Sequence, residues 1–316
     1  MLLRLAQRVA ILLASLAVSS LVVFAFMQVL PGNPARVALG VNASEEAVAR
    51  MTADYGLDRP LPVQYLDWVG GMLRLDPGIE YVSKAAIGPQ IADRLQVTLW
   101  LVAVSMMLAV VVAVPVGTWM AVRHRHPDGV ALSAVSQVGV AVPAFLAGIV
   151  LISIFAVRLG WVPSGGWVPP ARDPVEFLRR LALPTIALAL VQGSVLARYV
   201  RSAVLDVLRE DYLRTARAKG LRPMPALWRH GLRNAAIPVV TVLGLQLATL
   251  LIGAVVVEQV FVIPGLGTLL LDSVAERELL TVQSVVMVLV VAVLVINFVV
   301  DALYLVIDPR LRTVSR

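Results

Sequence analysis

Six stretches of this sequence run for about twenty residues each with no charged side chain, and they limit the fold more than any other feature. They lie at Val9–Val29, Val97–Val122, Val130–Val157, Leu181–Ala197, Ala235–Val257 and Leu279–Val300. Each reaches the length a helix needs to cross a hydrocarbon layer of roughly 30 Å, the fourth only just. Across lipid a segment must satisfy its own backbone hydrogen bonds, so each is read as a helix. A hydrophobic content of 59% would suit a large soluble core if it were scattered, but here it is gathered into blocks. Arg4 and Arg8 before the first block resemble the start of a signal peptide. The block is too long for one and ends without a small-residue cleavage pattern, so a first membrane helix is expected.

Arginine and lysine set the expected orientation. With the N-terminus inside, the short inner segments are the N-terminus, Arg123–Gly129, Arg198–Asn234 and the tail after Asp308. They hold two, two, nine and three of the 27 basic residues. Short loops decide topology, so both termini are expected in the cytoplasm. Trp100, Trp119 and Trp161 fall at span ends, where interfacial tryptophans belong. The formal charge of +7 follows from these inner arginines, and no aromatic-interleaved basic patch points to nucleic acid. The long first outer loop, Leu30–Gln96, reads as a small extracytoplasmic element. Ser44 followed by Glu45 and Glu46 starts a helix through Met51, Asp58–Pro62 is a break, and Val63–Leu73 is helical again.

Between the fourth and fifth spans lies a basic, polar island, Asp211–Pro238. Leu205, Leu208, Tyr212 and Ala216 recur at helical spacing and form an apolar face, while Asp206, Arg209, Glu210, Arg214 and Arg217 fall mostly opposite. Gly220 stops this helix where a left-handed cap is cheapest. Pro223 and Pro225 then bar its resumption until a second short run, Ala226–Asn234. A helix, a glycine turn and a second helix on the membrane surface suit docking by another protein; an ordinary positive loop is the plainer reading.

The chemistry that is missing narrows the function. No G-x-x-x-x-G-K-[ST] loop cradles a nucleotide, so any ATP is hydrolysed elsewhere. The span cores hold no carboxylate or histidine of the kind that ion-coupled carriers need, and the first ionisable group at depth is Asp301. Asp301 is close enough to the cytoplasmic end to partner an inner-face arginine. His124 and His126 lack carboxylates at ligand spacing, so no metal site is expected. Without cysteine there is no thiolate nucleophile. Among the uncharged polar residues in the spans, Gln192, Ser194, Gln246 and Thr249 either line an aqueous path or pack helices.

The island resembles the cytoplasmic loop of ABC importer permeases whose pattern is Glu-Ala-Ala, three residues, Gly. Thr215-Ala216-Arg217-Ala218-Lys219-Gly220 occupies it, with Thr215 or Arg217 at the family's glutamate. Asp211 to Gly220, followed by His230-Gly231-Leu232-Arg233-Asn234-Ala235, is similar to the dipeptide/oligopeptide permease family. Leu30-Pro31-Gly32-Asn33-Pro34, Tyr55-Gly56-Leu57-Asp58, Val142-Pro143-Ala144-Phe145, Gly160-Trp161-Val162-Pro163, Pro264-Gly265-Leu266-Gly267 and Asp308-Pro309-Arg310 continue the resemblance.

That resemblance implies an all-α integral membrane fold with six transmembrane helices, N-in and C-in. It implies a coupling-helix loop at 198–234 within a permease core at 97–316, after a first helix at 1–29 and an outer region at 30–96. Asp211, Tyr212, Thr215, Ala216, Arg217, Ala218, Lys219, Gly220, His230, Arg233 and Asn234 would form the ATPase-coupling surface. The partners implied are a second related permease completing a heterodimeric pore, two cytoplasmic ATPase domains that bind ATP and Mg, an extracytoplasmic solute-binding protein, and the lipid of a bacterial inner membrane. The chain itself would be a non-enzymatic pore subunit with no cofactor. Peptides are the expected cargo, with nickel, glutathione or another small solute as the alternative; an ion-coupled carrier and a passive channel are the rival classes.

Reporter fusions after Ala86 and Trp167 are expected to read outside, and fusions after His126, Met224 and Thr313 inside. An outside signal at Met224 would overturn both the six-span topology and the docking assignment.

Overall fold

The computed structural model describes residues 2–29, 34–40, 42–221 and 223–307. The chain is helical, with one isolated bridge between Ile79 and Ala86 among the described residues. Among the described residues thirteen α-helices follow one another: α1 (Leu2–Val29), α2 (Pro34–Leu39), α3 (Glu45–Asp54), α4 (Leu61–Leu73), α5 (Ile87–Val122), α6 (Pro127–Ala141), α7 (Ala144–Leu151), α8 (Pro174–Leu208), α9 (Asp211–Ala218), α10 (Pro223–Ala226), α11 (Leu232–Val260), α12 (Leu266–Glu276) and α13 (Leu279–Ile307). A π-helical stretch, Ile152–Arg158, continues α7, and another, Leu227–Gly231, joins α10 to α11. Among the described residues five helices are each long and apolar enough to span a membrane, and a bent pair makes six if counted as one span.

That bent pair corrects the third span. The stretch expected as one helix is two, Pro127–Ala141 and Ala144–Arg158, which meet at 101°. Val142 and Pro143 between them are extended, with ψ of 123° and 140°. A proline's ring pushes the preceding residue out of the helical region and removes one amide donor, so the ladder breaks here. Pro184 and Pro238, in contrast, sit inside helices that continue past them.

The chain divides into two compact units. One takes residues 99–263 with short pieces from either end; the other is Ala6–Thr98 with Pro264–Val295. In the first unit α8 is central and packs against α6, α7 and α11. Its most apolar window is 61% buried, whereas that of α1 in the other unit is 17% buried, leaving α1 for lipid or a partner. Small residues allow α8 its close neighbours: a Cβ on Gly117 of α5 would come within 2.5 Å of the Ala197 carbonyl oxygen. The helix also outlasts its apolar core, continuing through Arg198, Arg201 and Asp206. On α11 a similar extension places Glu258 inside the helix, fully buried, where the apolar run alone had ended the span at Val257.

In the second unit the region expected to lie outside is an ordered element. Ser44 caps α3 by accepting from the Ala47 amide at 3.2 Å, as its Ser-Glu-Glu start predicts. Helix α4 begins at Leu61, with Pro62 in the first turn, where a missing amide leaves nothing unpaired. Its Trp68 is buried and donates to Ser284 Oγ at 3.3 Å, while Tyr65 and Ser20 share a 2.8 Å hydrogen bond. Phe24 of α1 meets the Tyr65 ring edge-on at 5.5 Å.

The segment joining α4 to α5 is pinned by a carboxylate from far along the chain. Glu278, 1% exposed, accepts from the backbone amides of Tyr81, Val82 and Ser83 at 2.7, 2.6 and 3.3 Å. Three successive amides converging on one anion form a nest that replaces the water a buried carboxylate loses. Glu80 beside it accepts from Ser83 Oγ and from Thr281 Oγ1, the latter at 3.0 Å. Burial first, then the Glu278 charge and Tyr55, pushes the Tyr81 phenol up to about 12, so it stays a neutral hydroxyl at physiological pH. Glu278→Gln turns one acceptor oxygen into a donor facing amides. It is expected to destabilise the unit by about 2 kcal/mol, read as a lower melting temperature of the purified chain.

Candidate coupling surface and polar span residues

The 198–234 region is almost continuous helix. Its first three turns are the end of α8, which stops at Leu208; Arg209 and Glu210 turn the chain, and Asp211 opens α9. The single amphipathic helix expected through Leu205 and Ala216 is therefore two. On α9, Leu213 (1% exposed) and Ala216 (8%) join a cluster with Val204 and Val207 of α8 and with Ala226 and Leu227. The helix is thus seated on its own chain.

The turn is built as expected. Gly220 has φ of +92°, and nothing lies within 4 Å of where its Cβ would be. Glycine is needed here for backbone conformation and not for space. The Leu221 amide returns to the Ala216 carbonyl at 3.3 Å, closing the helix end. Pro223 and Pro225 do not bar the next helix. They open it, because the first turn of a helix has amides without intrahelical acceptors. The second helix accordingly begins at Pro223 rather than Ala226, and runs through the π-helical stretch into α11 without a break. Gly231 is the close-approach position: a Cβ there would stand 2.7 Å from Leu227 Cδ1 and 2.9 Å from Val207 Cγ1.

What the element offers outward is the opposite face of α9. Asp211, Arg214, Thr215, Ala218, Lys219 and Gly220 are exposed. Arg214 lies 3.5 Å from Asp211, and Thr215 Oγ1 donates to the Asp211 carbonyl at 2.9 Å. Tyr212 is half out, and its hydroxyl accepts from Asn234 Nδ2 at 2.9 Å, bracing the start of α9 against α11. Ala216 belongs to the inner face, which reverses the expectation that it meets a partner. The side chains of Arg217, His230 and Arg233 lie outside the described residues, as do Leu30–Asn33 and the Asp308–Arg310 motif. Sequence reasoning passed over Trp228, which is 65% exposed beside Arg229. A lone tryptophan in a polar island away from a span end was the available signal.

The four polar span residues divide. Ser194 Oγ and Thr249 Oγ1 donate to carbonyls one turn back, Leu190 at 2.7 Å and Leu245 at 3.0 Å. Both are satisfied on their own helices. Gln246 of α11 donates to Gln192 Oε1 of α8 at 2.6 Å, a side-chain tie between two neighbouring helices, with Gln192 buried. Asp301 is half-buried on α13 and has a partner.

Comparison with known proteins is consistent along the chain. The pattern described as "Binding-protein-dependent transport system inner membrane component" matches residues 113–313, and that of the corresponding N-terminal component matches residues 1–103. The chain is 41% identical over 302 residues to the glutathione transport system permease protein GsiC of Salmonella choleraesuis (strain SC-B67), covering 95% of this chain and 96% of that one. It is 39% identical over the same length to GsiC of Escherichia coli (strain K12), with the same coverage. Among solved structures, a chain of the MetNI methionine ABC transporter in an inward-facing conformation superposes with a TM-score of 0.57 at 20% identity. That match covers 69% of this chain and 96% of the other, and shows a shared fold.

Two substitutions probe the seat and the turn separately. Ala216→Asp places an unpaired carboxylate among Leu213 and Leu227 and is expected to destabilise the element by several kcal/mol, read as lower membrane abundance and faster proteolysis around residues 209–231. Gly220→Val forces a β-branched residue to positive φ at about 1 kcal/mol or more, with abundance largely retained.

Proposed function

The chain belongs to the family of binding-protein-dependent transport system inner membrane components, and on that premise we propose that it forms half of the pore of an ATP-driven importer of short peptides. A second related permease completes the pore. Two cytoplasmic ATPase domains bind ATP and Mg and seat on the outer face of α9. A solute-binding protein delivers cargo to the opposite side, where the 30–96 region receives it. Both termini lie in the cytoplasm of a bacterial cell, and this chain catalyses no reaction of its own.

The observation that carries the reading is the build of the 211–231 element. Leu213, Ala216, Ala226 and Leu227 fasten it to α8, so force applied to its exposed face passes to a helix that continues as a span. A partner seated on Thr215, Ala218, Lys219 and Trp228 would push on α8 and α11 together, through the Tyr212–Asn234 hydrogen bond as well as through packing. The polar residues of the spans add little to cargo choice, since Ser194 and Thr249 are satisfied locally. Gln192 and Gln246 remain candidates for the path because amide groups suit a peptide backbone.

Glutathione is the second reading of the cargo, favoured by the GsiC relatives. It is itself a tripeptide, so the two readings share amide, ammonium and carboxylate chemistry. Proteoliposomes holding the assembled complex separate them: a labelled dipeptide should accumulate only with binding protein and ATP, and excess glutathione should compete if it is the true cargo. Uptake without ATP would instead mark a passive channel.

The exposed face has its own test. Thr215→Trp and Ala218→Arg add bulk without touching the seat, and each is expected to cut ATPase co-purification and uptake at least about tenfold while chain abundance holds, since one such clash removes more than the 1.4 kcal/mol per decade of affinity. Wild-type co-purification from both variants would remove α9 from the interface.

A further inference from the structure

Where the charge-free run of α8 ends, at Ala197, two arginines follow within one turn of each other, Arg198 and Arg201. Packing against α5 in the same compact unit sets their depth in the membrane. A Cβ on Gly117 would stand 2.5 Å from the Ala197 carbonyl oxygen and 2.7 Å from Val200 Cβ, so the two helices meet at this level. Trp119 and Tyr199, one on each helix beside that contact, are both exposed. Exposed aromatic rings at the end of an apolar run mark the headgroup layer. The two arginines therefore stand at the depth of lipid phosphates, on the face of the membrane that carries the 211–231 element.

Around them the described residues supply cations and no free anion. Ser194, Arg198 and Arg201 follow one stripe of α8 at spacings of four and three residues. Helix α6 packs on that stripe, because a Cβ on its Gly139 would collide with Ser194 Oγ. Arg201 is half-buried, and its Nε is buried with no hydrogen-bond partner among the described residues. Thr118 Oγ1, next to Gly117 on α5, is a second buried polar atom at this depth without a partner. The carboxylate at the start of α6 is already committed: Asp128 accepts from Arg123 Nε at 2.9 Å and from Trp119 Nε1 at 3.1 Å. Asp206 is exposed and lies about 140° round α8 from Arg201. Like charges one turn apart repel, and a buried guanidinium nitrogen without an acceptor is costly, so both features call for an anion from outside the chain.

We propose that Arg201, with Arg198, binds the phosphate of an anionic phospholipid beside α6. A guanidinium presents its donors in a fork that matches phosphate oxygens, and Arg201 still has its Nε to give. Basic groups at the end of a span and between helices hold anionic headgroups in this way. Two positive charges favour a headgroup of net negative charge, such as phosphatidylglycerol, over phosphatidylcholine, whose own ammonium they repel. The exposed rings of Trp119 and Tyr199 place the site among headgroups, which favours a lipid over an acidic side chain of a partner protein. Arg201 comes three residues before Val204, part of the seat of Leu213 and Ala216, so the bound lipid stands at the base of the 211–231 element.

Native mass spectrometry of the full-length chain, released from detergent micelles carrying phosphatidylglycerol or phosphatidylcholine, counts the lipids retained. One phosphatidylglycerol is expected to stay bound at a concentration about tenfold lower than phosphatidylcholine needs. Arg201→Gln should erase that preference. Arg198→Gln changes an exposed residue that the fold does not need, and should weaken retention about threefold, so the site is tested even where Arg201→Gln lowers the yield. Arg209→Gln, at an exposed arginine farther along the same helix, is the control and should leave the preference intact. Equal losses in Arg201→Gln and Arg209→Gln, or no loss in Arg201→Gln and Arg198→Gln, would overturn the proposal. Two further arms test the occupant. Millimolar inorganic phosphate should not displace the lipid; displacement assigns the site to free phosphate instead. The assembled complex should retain phosphatidylglycerol as the single chain does; its loss on assembly gives the site to an acidic group of a partner and overturns the lipid.

Discussion

The packing of α8 is the interaction on which most of this structure depends. One face of a 35-residue helix is buried from Phe177 to Val207, first inside the apolar layer and then beyond it. Because that face does not end where the hydrophobic span ends, Val204 and Val207 are available to receive Leu213, Ala216 and Leu227. A surface element that would have little stability alone, with an eight-residue helix and a four-residue one, is held by this seat. The same helix carries Gln192 and the close approach of Gly117, so the span and the 211–231 element form one packed body.

The other unit relies on a different device. An apolar core alone would leave the α4–α5 connection with unpaired amides, and Glu278 supplies their acceptor from the start of α13. A carboxylate is the stronger choice for three amides because the bonds are charge-assisted. The result is an element fastened at two levels, by the aromatic cluster of Phe24, Tyr65 and Trp68 and by the anion nest. A cavity of about 320 Å³ lies in the same unit, with Gln283 among its lining residues.

Much of this was legible in the sequence, for identifiable reasons. Lipid forbids stray charge, so the spans stood out, and the family followed from the motifs around Gly220 and along the chain. Ser44 as a cap and Gly220 as a positive-φ turn rest on local rules and are found where those rules put them. What failed was whatever needed a neighbour. The 101° bend at Val142–Pro143 looks like any proline kink in an apolar run. Pro223 reads as a helix breaker until its place in a first turn is known. Ala216 faces inward because of Leu227 and Val207, which no periodicity within α9 reveals. Glu278 reaches an amide 197 residues away, and only folding brings the two together.

The central claim is that the outer face of α9, and not its inner face, meets the ATPase. A photo-crosslinking side chain placed in turn at positions 213, 215, 216, 218 and 228 of the chain in its assembled complex tests this directly. Illumination should join the chain to the ATPase from 215, 218 and 228, and leave 213 and 216 uncrosslinked or crosslinked within the chain. ATPase adducts from 213 and 216, with none from 215 and 218, would contradict the account.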